Sequence, residues 1–261
     1  MIGALRRTAL WIGPAYALLF LTFLDGLDPG ADPWIALTGT FALIAWVFAE
    51  SGQTLGITTM AAVLLVVLVT RDGPTRKRRL LETAVMIVIS LLLLYGGKLL
   101  NDHVVKPAID VYRPNIVQLA ELDLLGMDAE SFYEMPEQVR SDHLDDIKTA
   151  DGFGDIEMRP EVRDHWVKET AFSRPSGHSL ASFTFATLYL SVAMASLTRR
   201  RRWPFIALVP WAVGVCYSRA ILRVHWPTDI VLGALAGVVV GGTGFLLAQF
   251  LLDRLDPPAS E

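Results

Sequence analysis

The chain has 261 residues, of which 52% are hydrophobic, and its mean hydropathy is +0.42. A soluble domain of this length rarely reaches that average, so we expect an integral membrane protein. The single cysteine, Cys216, excludes an internal disulfide. The net charge of −4 hides an asymmetry, because residues 101–175 carry 17 Asp and Glu against 8 Lys and Arg, and the rest of the chain is net basic.

Seven apolar runs follow one another along the chain. They cover residues 8–24, 34–49, 54–70, 80–100, 178–198, 204–222 and 229–252. A helix needs about 20 residues to cross a hydrocarbon core of roughly 30 Å, and the last four runs meet that length. The first run lacks the small-residue cleavage site of a signal peptide, so we expect a retained span there.

The basic residues near the ends of these runs favour six spans over seven. Arg6 and Arg7, the loop at 71–79 and the four arginines at 199–202 all indicate the cytoplasmic side. An N-terminus and a 71–79 loop on one side require an even number of spans between them, but three runs lie there. The run at 34–49 is short, and we expect it to be an interfacial or partly re-entrant helix on the outer side. A seventh span with an outside N-terminus is the alternative.

We therefore predict an all-α integral membrane protein with six transmembrane helices and a partly helical extracytoplasmic insert. Residues 1–100 would hold three spans and the interfacial helix, 101–175 the insert with the first motif, and 176–261 the last three spans. Within the insert, residues 115–170 are acidic, with short helical stretches such as 117–125 and 160–169. A small cap over a site and a solvated loop both remain open for this part.

The first of three polar segments, KPAIDVYRP at 106–114, carries two cations seven residues apart, which would share a face on one helix. Basic residues at a span end often snorkel to headgroups. Lys106 and Arg113, however, lie on the outer side in the predicted topology, against the usual bias. A guanidinium fork fits phosphate oxygens, and lysine supplies a compact charge, so an anion site is the stronger interpretation when all three segments are taken together.

The second segment, PSGH at 175–178, directly precedes an apolar run. Unpaired N–H groups at a helix start attract anions, and Gly177 lets the backbone approach a ligand closely. Ser176 also suits a helix N-cap. An imidazole titrates near neutrality, so His178 suits protonation of a leaving oxygen, although a hydrogen bond to a carbonyl is the alternative.

The third segment runs from Ser218-Arg219 to His225 and Asp229. Pro227 predicts a helix start, with Asp229 in its first turn and His225 just ahead of it. The carboxylate can then reach one ring nitrogen and fix the tautomer, leaving the other nitrogen free to attack phosphorus. A carboxylate at a helix N-terminus is also favourable by itself.

Together the segments fit phosphoryl transfer, in which positioning and charge neutralisation dominate. Three cations and backbone donors can neutralise the charge that a metal usually neutralises, and no Asp, Glu and His cluster has metal-ligand spacing. We predict a metal-independent reaction with no cofactor. The chain has neither a glycine-rich nucleotide loop nor the serine elbow of a hydrolase.

Lys106-x6-Arg113-Pro114, PSGH and Ser218-Arg219-x5-His225-x3-Asp229 resemble the three signatures of the type 2 phosphatidic acid phosphatase superfamily. The resemblance implies that His225 forms a phosphohistidine, that Asp229 orients it and that His178 protonates the departing lipid hydroxyl. It also implies phosphoryl contacts for Lys106, Arg113, Ser176, Gly177 and Arg219. The insert ending at residues 163–170 is similar to that of the bacterial phosphatidylglycerophosphatase B subfamily.

Two further residues are candidates for a supporting role. Glu169 lies seven residues before Ser176, where it is either a polar neighbour of the site or a solvated loop residue. Arg174 stands where relatives often carry an aromatic or apolar residue, and it would contact phosphate or only a headgroup.

The expected activity is hydrolysis of phosphatidylglycerol phosphate, phosphatidic acid or undecaprenyl diphosphate. The alternative is a lipid phosphotransferase that passes the phosphoryl group to another lipid. An anion transporter would explain the cations but not two histidines and an aspartate at one rim. We expect membrane lipids as partners, with no nucleic acid and no obligate protein partner, and a bacterial inner membrane location with the site on the periplasmic face.

Overall fold

The computed structural model describes residues 1–24, 27–28, 35–154 and 156–256, and the regular elements within these ranges are all helical. In chain order the helices are α1 (Ile2–Leu18), α2 (Thr40–Ser51), α3 (Thr54–Val69), α4 (Arg76–Ile109), α5 (Pro114–Glu121), α6 (Ala129–Glu134), α7 (Glu137–Asp151), α8 (Pro160–Lys168), α9 (Gly177–Ser196), α10 (Trp203–Ile221) and α11 (Pro227–Leu255). A short 3₁₀ segment, Leu19–Phe23, continues α1.

Four of the described helices, α4, α9, α10 and α11, are long and apolar enough to cross a membrane. Helices α2 and α3 meet at an angle of 67° and pass the same test together, as one broken span. The protein is therefore an integral membrane protein whose described part contains four or five such helices. The predicted run at 34–49 begins outside the described residues, and its helix starts at Thr40.

The centre of the bundle is the pair α9 and α11, whose backbones approach closely. Gly233, Gly237 and Gly241 recur every fourth residue on α11, and a Cβ atom at each would lie 2.5 Å from a backbone oxygen of α9 or of Ser176 directly before it. Small residues at such spacing allow close helix packing in membranes. The contact also brings the two helix starts together, because the Ser176 N–H donates to the carbonyl of Asp229 at 3.0 Å.

The insert is packed rather than solvated. Helices α5 to α8 bury a cluster of their own that includes Ile116, Phe132 and Trp166, and this cluster continues onto α2. The indole of Trp166 donates to the carbonyl of Leu222 at 2.8 Å, which fixes α8 to the end of α10. The predicted helices at 117–125 and 160–169 are present, with bounds shifted to those of α5 and α8.

The expectation that Lys106 and Arg113 share a helix face is wrong. Helix α4 ends at Ile109, and Asp110 follows with a left-handed φ of 56°. Arg113 is extended (φ −77°, ψ 145°) directly before Pro114, the first residue of α5. A residue that precedes proline is pushed out of the helical region, which explains the extended conformation of Arg113.

Candidate active site

A cavity of about 270 Å³ lies between α3, α4, α9 and the insert. One end is polar, and its lining includes Lys106, Arg113, Glu169, His178 and His225. The other end is apolar, and its lining includes Ile57, Leu93, Leu94, Leu180 and Ala181. The three polar segments of the sequence therefore converge on one cavity that also reaches between membrane helices.

The predicted site residues divide into two groups by their access to this cavity. Lys106, Arg113, Gly177, His178 and His225 line it. Ser176, Arg219 and Asp229 are buried behind them, each with no more than 1% of its surface exposed. Glu169 lines the cavity.

His225 is held through both of its ring nitrogens. Its Nε2 lies 3.2 Å from Nη1 of Arg113. Because a guanidinium only donates, Nε2 must carry a lone pair and the ring proton of the neutral imidazole sits on Nδ1. The Nδ1–H then faces the hydroxyl oxygen of Ser173 at 3.1 Å. The link between α10 and α11 thus presents this imidazole in one defined tautomer.

Ser173 connects His225 to Asp229. The Ser173 hydroxyl donates to Oδ2 of Asp229, whereas Nδ1 of His225 lies 3.6 Å from that oxygen. The same carboxylate accepts from the Trp226 backbone N–H at 3.0 Å. The sequence predicted a direct contact between imidazole and carboxylate and missed the serine, because nothing in the spacing of Ser173 distinguishes it from other serines.

Arg174 lies behind Asp229 and does not line the cavity. Its Nε donates to Oδ1 of Asp229 at 2.7 Å, and its Nη2 donates to the hydroxyl of Thr228. Neither contact expected from the sequence, to phosphate or to a headgroup, is needed to explain this arginine. It instead fixes the carboxylate that faces Ser173.

Burial lowers the pKa of His225 to about 3, and the positive charge of Arg113 acts in the same direction. Asp229 raises the pKa of His225 but does not offset burial and the arginine charge. The imidazole is therefore neutral at pH 7, with its lone pair on the nitrogen beside Arg113.

Glu169 bridges the two arginines of the site. Its Oε2 lies 2.9 Å from Nη2 of Arg113, and its Oε1 lies 2.6 Å from Nη2 of Arg219. Burial alone would raise the pKa of this carboxyl, but Arg219 and Arg113 outweigh burial and hold the pKa well below its usual range. Two cations that the sequence assigned to phosphate thus already bind a planar anion.

Three polar nitrogens near this carboxylate have no hydrogen-bond partner in the described part of the chain. One is Nε2 of His178, whose Nδ1 lies 4.0 Å from Oε1 of Glu169. The others are Nε of Arg219 and Nδ1 of His165, two residues that do not line the cavity. Buried polar atoms are normally satisfied, and an unpartnered donor here can bind an anion that takes the place of Glu169.

Lys106 and the start of α9 complete the polar end. The Lys106 ammonium, on a residue that is 5% exposed, pairs with Asp102 at 2.8 Å. A Cβ on Gly177 would lie 3.9 Å from this ammonium, so the backbone at the start of α9 lies close to the Lys106 cation. Ser176 caps α9 by accepting from the Ser179 N–H at 3.3 Å, as its N-cap position predicted.

The chain is similar to one known protein family over most of its length. Residues 79–252, which include all three polar segments, match the PAP2 superfamily. The chain belongs to the PAP2 superfamily. The PAP2 match begins in α4 and ends in α11, so it covers the whole insert and the cavity lining except for residues 52–58.

Individual proteins similar to this chain carry phosphatase names. Phosphatidylglycerophosphatase B of Escherichia coli strain K12 is 42% identical over 101 residues, which are 38% of this chain and 38% of that protein. Lipid A 4'-phosphatase of Bacteroides thetaiotaomicron is 34% identical over 84 residues, covering 32% of this chain and 33% of that one. Undecaprenyl-diphosphatase of Sulfolobus acidocaldarius is 39% identical over 70 residues, or 27% and 31% of the two chains. The chain thus aligns with less than two fifths of each relative.

The described residues contain no group of three His, Cys, Asp or Glu side chains arranged to hold a metal ion. The charge at the polar end of this PAP2 cavity comes from Lys106, Arg113 and Arg219. Metal independence stays a prediction, and it is tested below with a chelator.

Proposed function

We propose that this protein is a membrane lipid phosphate phosphatase that works through a phosphohistidine at His225. One observation carries the proposal. A single guanidinium, that of Arg113, contacts both the lone-pair nitrogen of His225 and a bound carboxylate. An anion in the place of that carboxylate is therefore held beside the nitrogen that would attack it.

The phosphoryl group takes the place of Glu169 between Arg113 and Arg219. Lys106 and the backbone at Gly177 lie on the same cavity wall and neutralise the remaining charge. Fixed donors of this kind stabilise charge that develops in the transition state without rearranging when it forms. The unpartnered Nε of Arg219 supplies one of these donors.

In the first step Nη1 of Arg113 gives up its hydrogen bond to Nε2 of His225, and the freed lone pair forms a bond to phosphorus. The bond between phosphorus and the lipid oxygen breaks, and its electron pair stays on that oxygen, which takes a proton from His178. Positive charge then develops on the His225 ring. Its Nδ1–H donates to Ser173, whose hydroxyl donates to Asp229, so the charge is stabilised by a buried carboxylate.

In the second step water cleaves the phosphohistidine. His178, which gave up a proton in the first step, takes one from the attacking water. The N–P bond breaks, its electrons return to Nε2 of His225, and inorganic phosphate leaves. A phosphotransferase would use the same first step with a lipid hydroxyl in place of water.

The apolar end of the cavity supports a lipid as the substrate. Ile57 of α3, Leu93 and Leu94 of α4 and Leu180 of α9 line it, so a tail can extend between these helices while the phosphate stays at the polar end. The relatives act, by name, on phosphatidylglycerophosphate, lipid A and undecaprenyl diphosphate. Phosphatidylglycerol phosphate, phosphatidic acid and undecaprenyl diphosphate are the candidates for this chain.

The proposal includes six spans, reached by adding two broken or short elements to the four long helices. One is α1 with its 3₁₀ extension, and the other is the bent pair α2 and α3. Arg7 donates to the carbonyl of Met194 and Arg201 to that of Thr70, each at 2.8 Å, so the basic segments meet at the end of α9 away from the site. Basic residues favour the cytoplasmic side, which supports a periplasmic site in a bacterial inner membrane.

The test is a substrate panel. The purified full-length protein in detergent is supplied with each of the three lipids in excess chelator, and inorganic phosphate is measured. We expect release from at least one lipid at a rate that the chelator does not change. Loss of activity with chelator would overturn the metal-independent mechanism, and transfer to an added lipid acceptor without free phosphate would identify a phosphotransferase.

A further inference from the structure

We infer that His165, on α8 of the insert, is a positioning residue that fixes the guanidinium of Arg219 in the orientation needed to bind phosphate. This inference rests on the proposed function for its role in turnover, but its effect on anion binding does not depend on turnover. His165 is 2% exposed and lies outside the three motifs.

The guanidinium of Arg219 has three donor nitrogens in three different situations. Nη1 lies 2.9 Å from Nε2 of His165, Nη2 contacts Glu169 at 2.6 Å, and Nε has no partner. Nε and Nη2 each direct one hydrogen outward along the same edge of the planar guanidinium. The two N–H groups are parallel and can bind two oxygens of one phosphate. His165 occupies the remaining nitrogen and so leaves that fork to the anion.

The contact defines the state of His165. A guanidinium only donates, so Nε2 of His165 accepts and the proton of the neutral ring sits on Nδ1. That Nδ1 makes no hydrogen bond to any described residue but lies 3.5 Å from Oε1 of Glu50, at the end of α2, and Gln53 donates to the same oxygen at 3.1 Å. The Glu50 carboxylate therefore faces the Nδ1–H side of the ring, opposite the nitrogen that accepts from Arg219.

Arg113 shows why Arg219 needs this support. Backbone carbonyls hold Arg113, because its Nε donates to Ala171 at 2.6 Å and its Nη1 donates to Val224 at 2.9 Å. The described residues give Arg219 no such backbone acceptor. Once a phosphate replaces Glu169, the imidazole of His165 is the protein group that keeps Arg219 in place.

The experiment compares His165→Ala with His165→Gln, because the glutamine carbonyl can accept from Nη1 as Nε2 does. Phosphatidic acid turnover gives kcat and KM, and titration calorimetry with inorganic phosphate gives a Kd on the same full-length protein. We expect His165→Ala to weaken phosphate binding and raise KM about tenfold, with a smaller change in kcat, since a hydrogen bond to a charged group is lost. His165→Gln should recover most of both losses.

His143→Ala is the matched control, because His143 is an insert histidine that bonds to the carbonyl of Leu125 at 2.9 Å and does not line the cavity. Glu50→Leu should weaken phosphate binding in the same direction as His165→Ala, and Glu50→Gln should retain it. Unchanged phosphate affinity in His165→Ala, or equal losses in His165→Ala, His165→Gln and His143→Ala, would overturn the inference. Normal phosphate binding by wild type without turnover of any lipid would overturn the proposed function instead and leave the affinity comparison valid.

Discussion

The two histidines of the site differ in how firmly the protein holds them. His225 has both ring nitrogens engaged, one by Arg113 and the other by Ser173. Nε2 of His178 has no hydrogen-bond partner among the described residues, and its Nδ1 lies 4.0 Å from Oε1 of Glu169. A nucleophile must be oriented before the reaction, whereas a proton donor finds its partner only when the leaving oxygen arrives.

Their positions in the fold explain this difference. His225 lies in the short link before Pro227, where Arg113 and Ser173 of the insert and Asp229 of α11 surround it. His178 lies in the first turn of α9, one residue after the glycine that faces the cavity. The first environment is built by the protein, and the second is completed by the substrate.

The largest effect is expected from removing the oriented histidine. His225→Ala should lower kcat by at least about 10⁴-fold, because the phosphohistidine can no longer form. Radiolabelled lipid phosphate should label wild type, in an acid-labile and base-stable form, and not the variant. Elution of the variant as a single species on size exclusion confirms that it is folded, and substantial turnover by such a protein would disprove the nucleophile.

Removing the free histidine should cost less, and the loss should depend on the leaving group. His178→Ala should lower kcat about 10²- to 10⁴-fold on a lipid alkyl phosphate, as expected for a lost general acid. A p-nitrophenyl phosphate needs little protonation of its leaving oxygen, so its first step should be nearly unaffected. The measurement is the burst of nitrophenol, and an equal loss of burst rate with both substrates would remove His178 from the role of acid.

Removing the Ser173 hydroxyl, which connects His225 to Asp229, should have a moderate effect on activity. Ser173→Ala removes the hydroxyl between Nδ1 and Asp229 and should lower kcat about 10- to 100-fold while leaving KM nearly unchanged. Ser173→Thr keeps the hydroxyl and serves as the matched variant. If Ser173→Ala keeps full activity, the 3.6 Å separation between imidazole and carboxylate is bridged in another way and Ser173 has no positioning role.

The elements of the site were predictable from sequence where local chemistry determines them. Pro227 predicted the start of α11, and Trp226 is extended before it (φ −70°, ψ 152°). Ser176 predicted the N-cap of α9, and the apolar runs predicted the long helices. These features depend on residues within one or two turns, so one sequence contains enough information.

The contacts that connect the elements were not predictable in the same way. Ser173 and Glu169 meet partners 50 or more residues away, and their positions depend on how the insert packs. Arg113 left the predicted helix because Asp110 adopts a left-handed conformation, which aspartate tolerates but does not require. Sequence patterns identified the reacting groups, and tertiary packing determined what orients each of them.

The smallest effect, and the one that tests the anion site itself, is expected from Glu169→Gln. In wild type the ionised carboxylate occupies Arg113 and Arg219, so a phosphate must displace it. Glutamine is nearly isosteric and neutral, and inorganic phosphate should therefore bind about 3- to 10-fold more tightly to the variant. Glu161→Gln, which changes an insert glutamate paired with Arg159 away from the cavity, is the control for removing a charge.

The lowered pKa of Glu169 also predicts how the difference in thermal stability between wild type and Glu169→Gln depends on pH. A carboxyl whose pKa is depressed in the folded state contributes stability above its ordinary pKa of about 4.3 and loses it only as the pH falls through the folded value. Without phosphate, Glu169→Gln should melt below wild type at pH 7 and by a similar margin at pH 5, and the margin should narrow only in more acidic buffer. Phosphate should remove the margin at either pH, because a bound anion replaces the missing carboxylate between the two arginines. A margin that already disappears at pH 5 would mean that Glu169 titrates like an ordinary surface carboxyl and does not hold the place of the substrate phosphate.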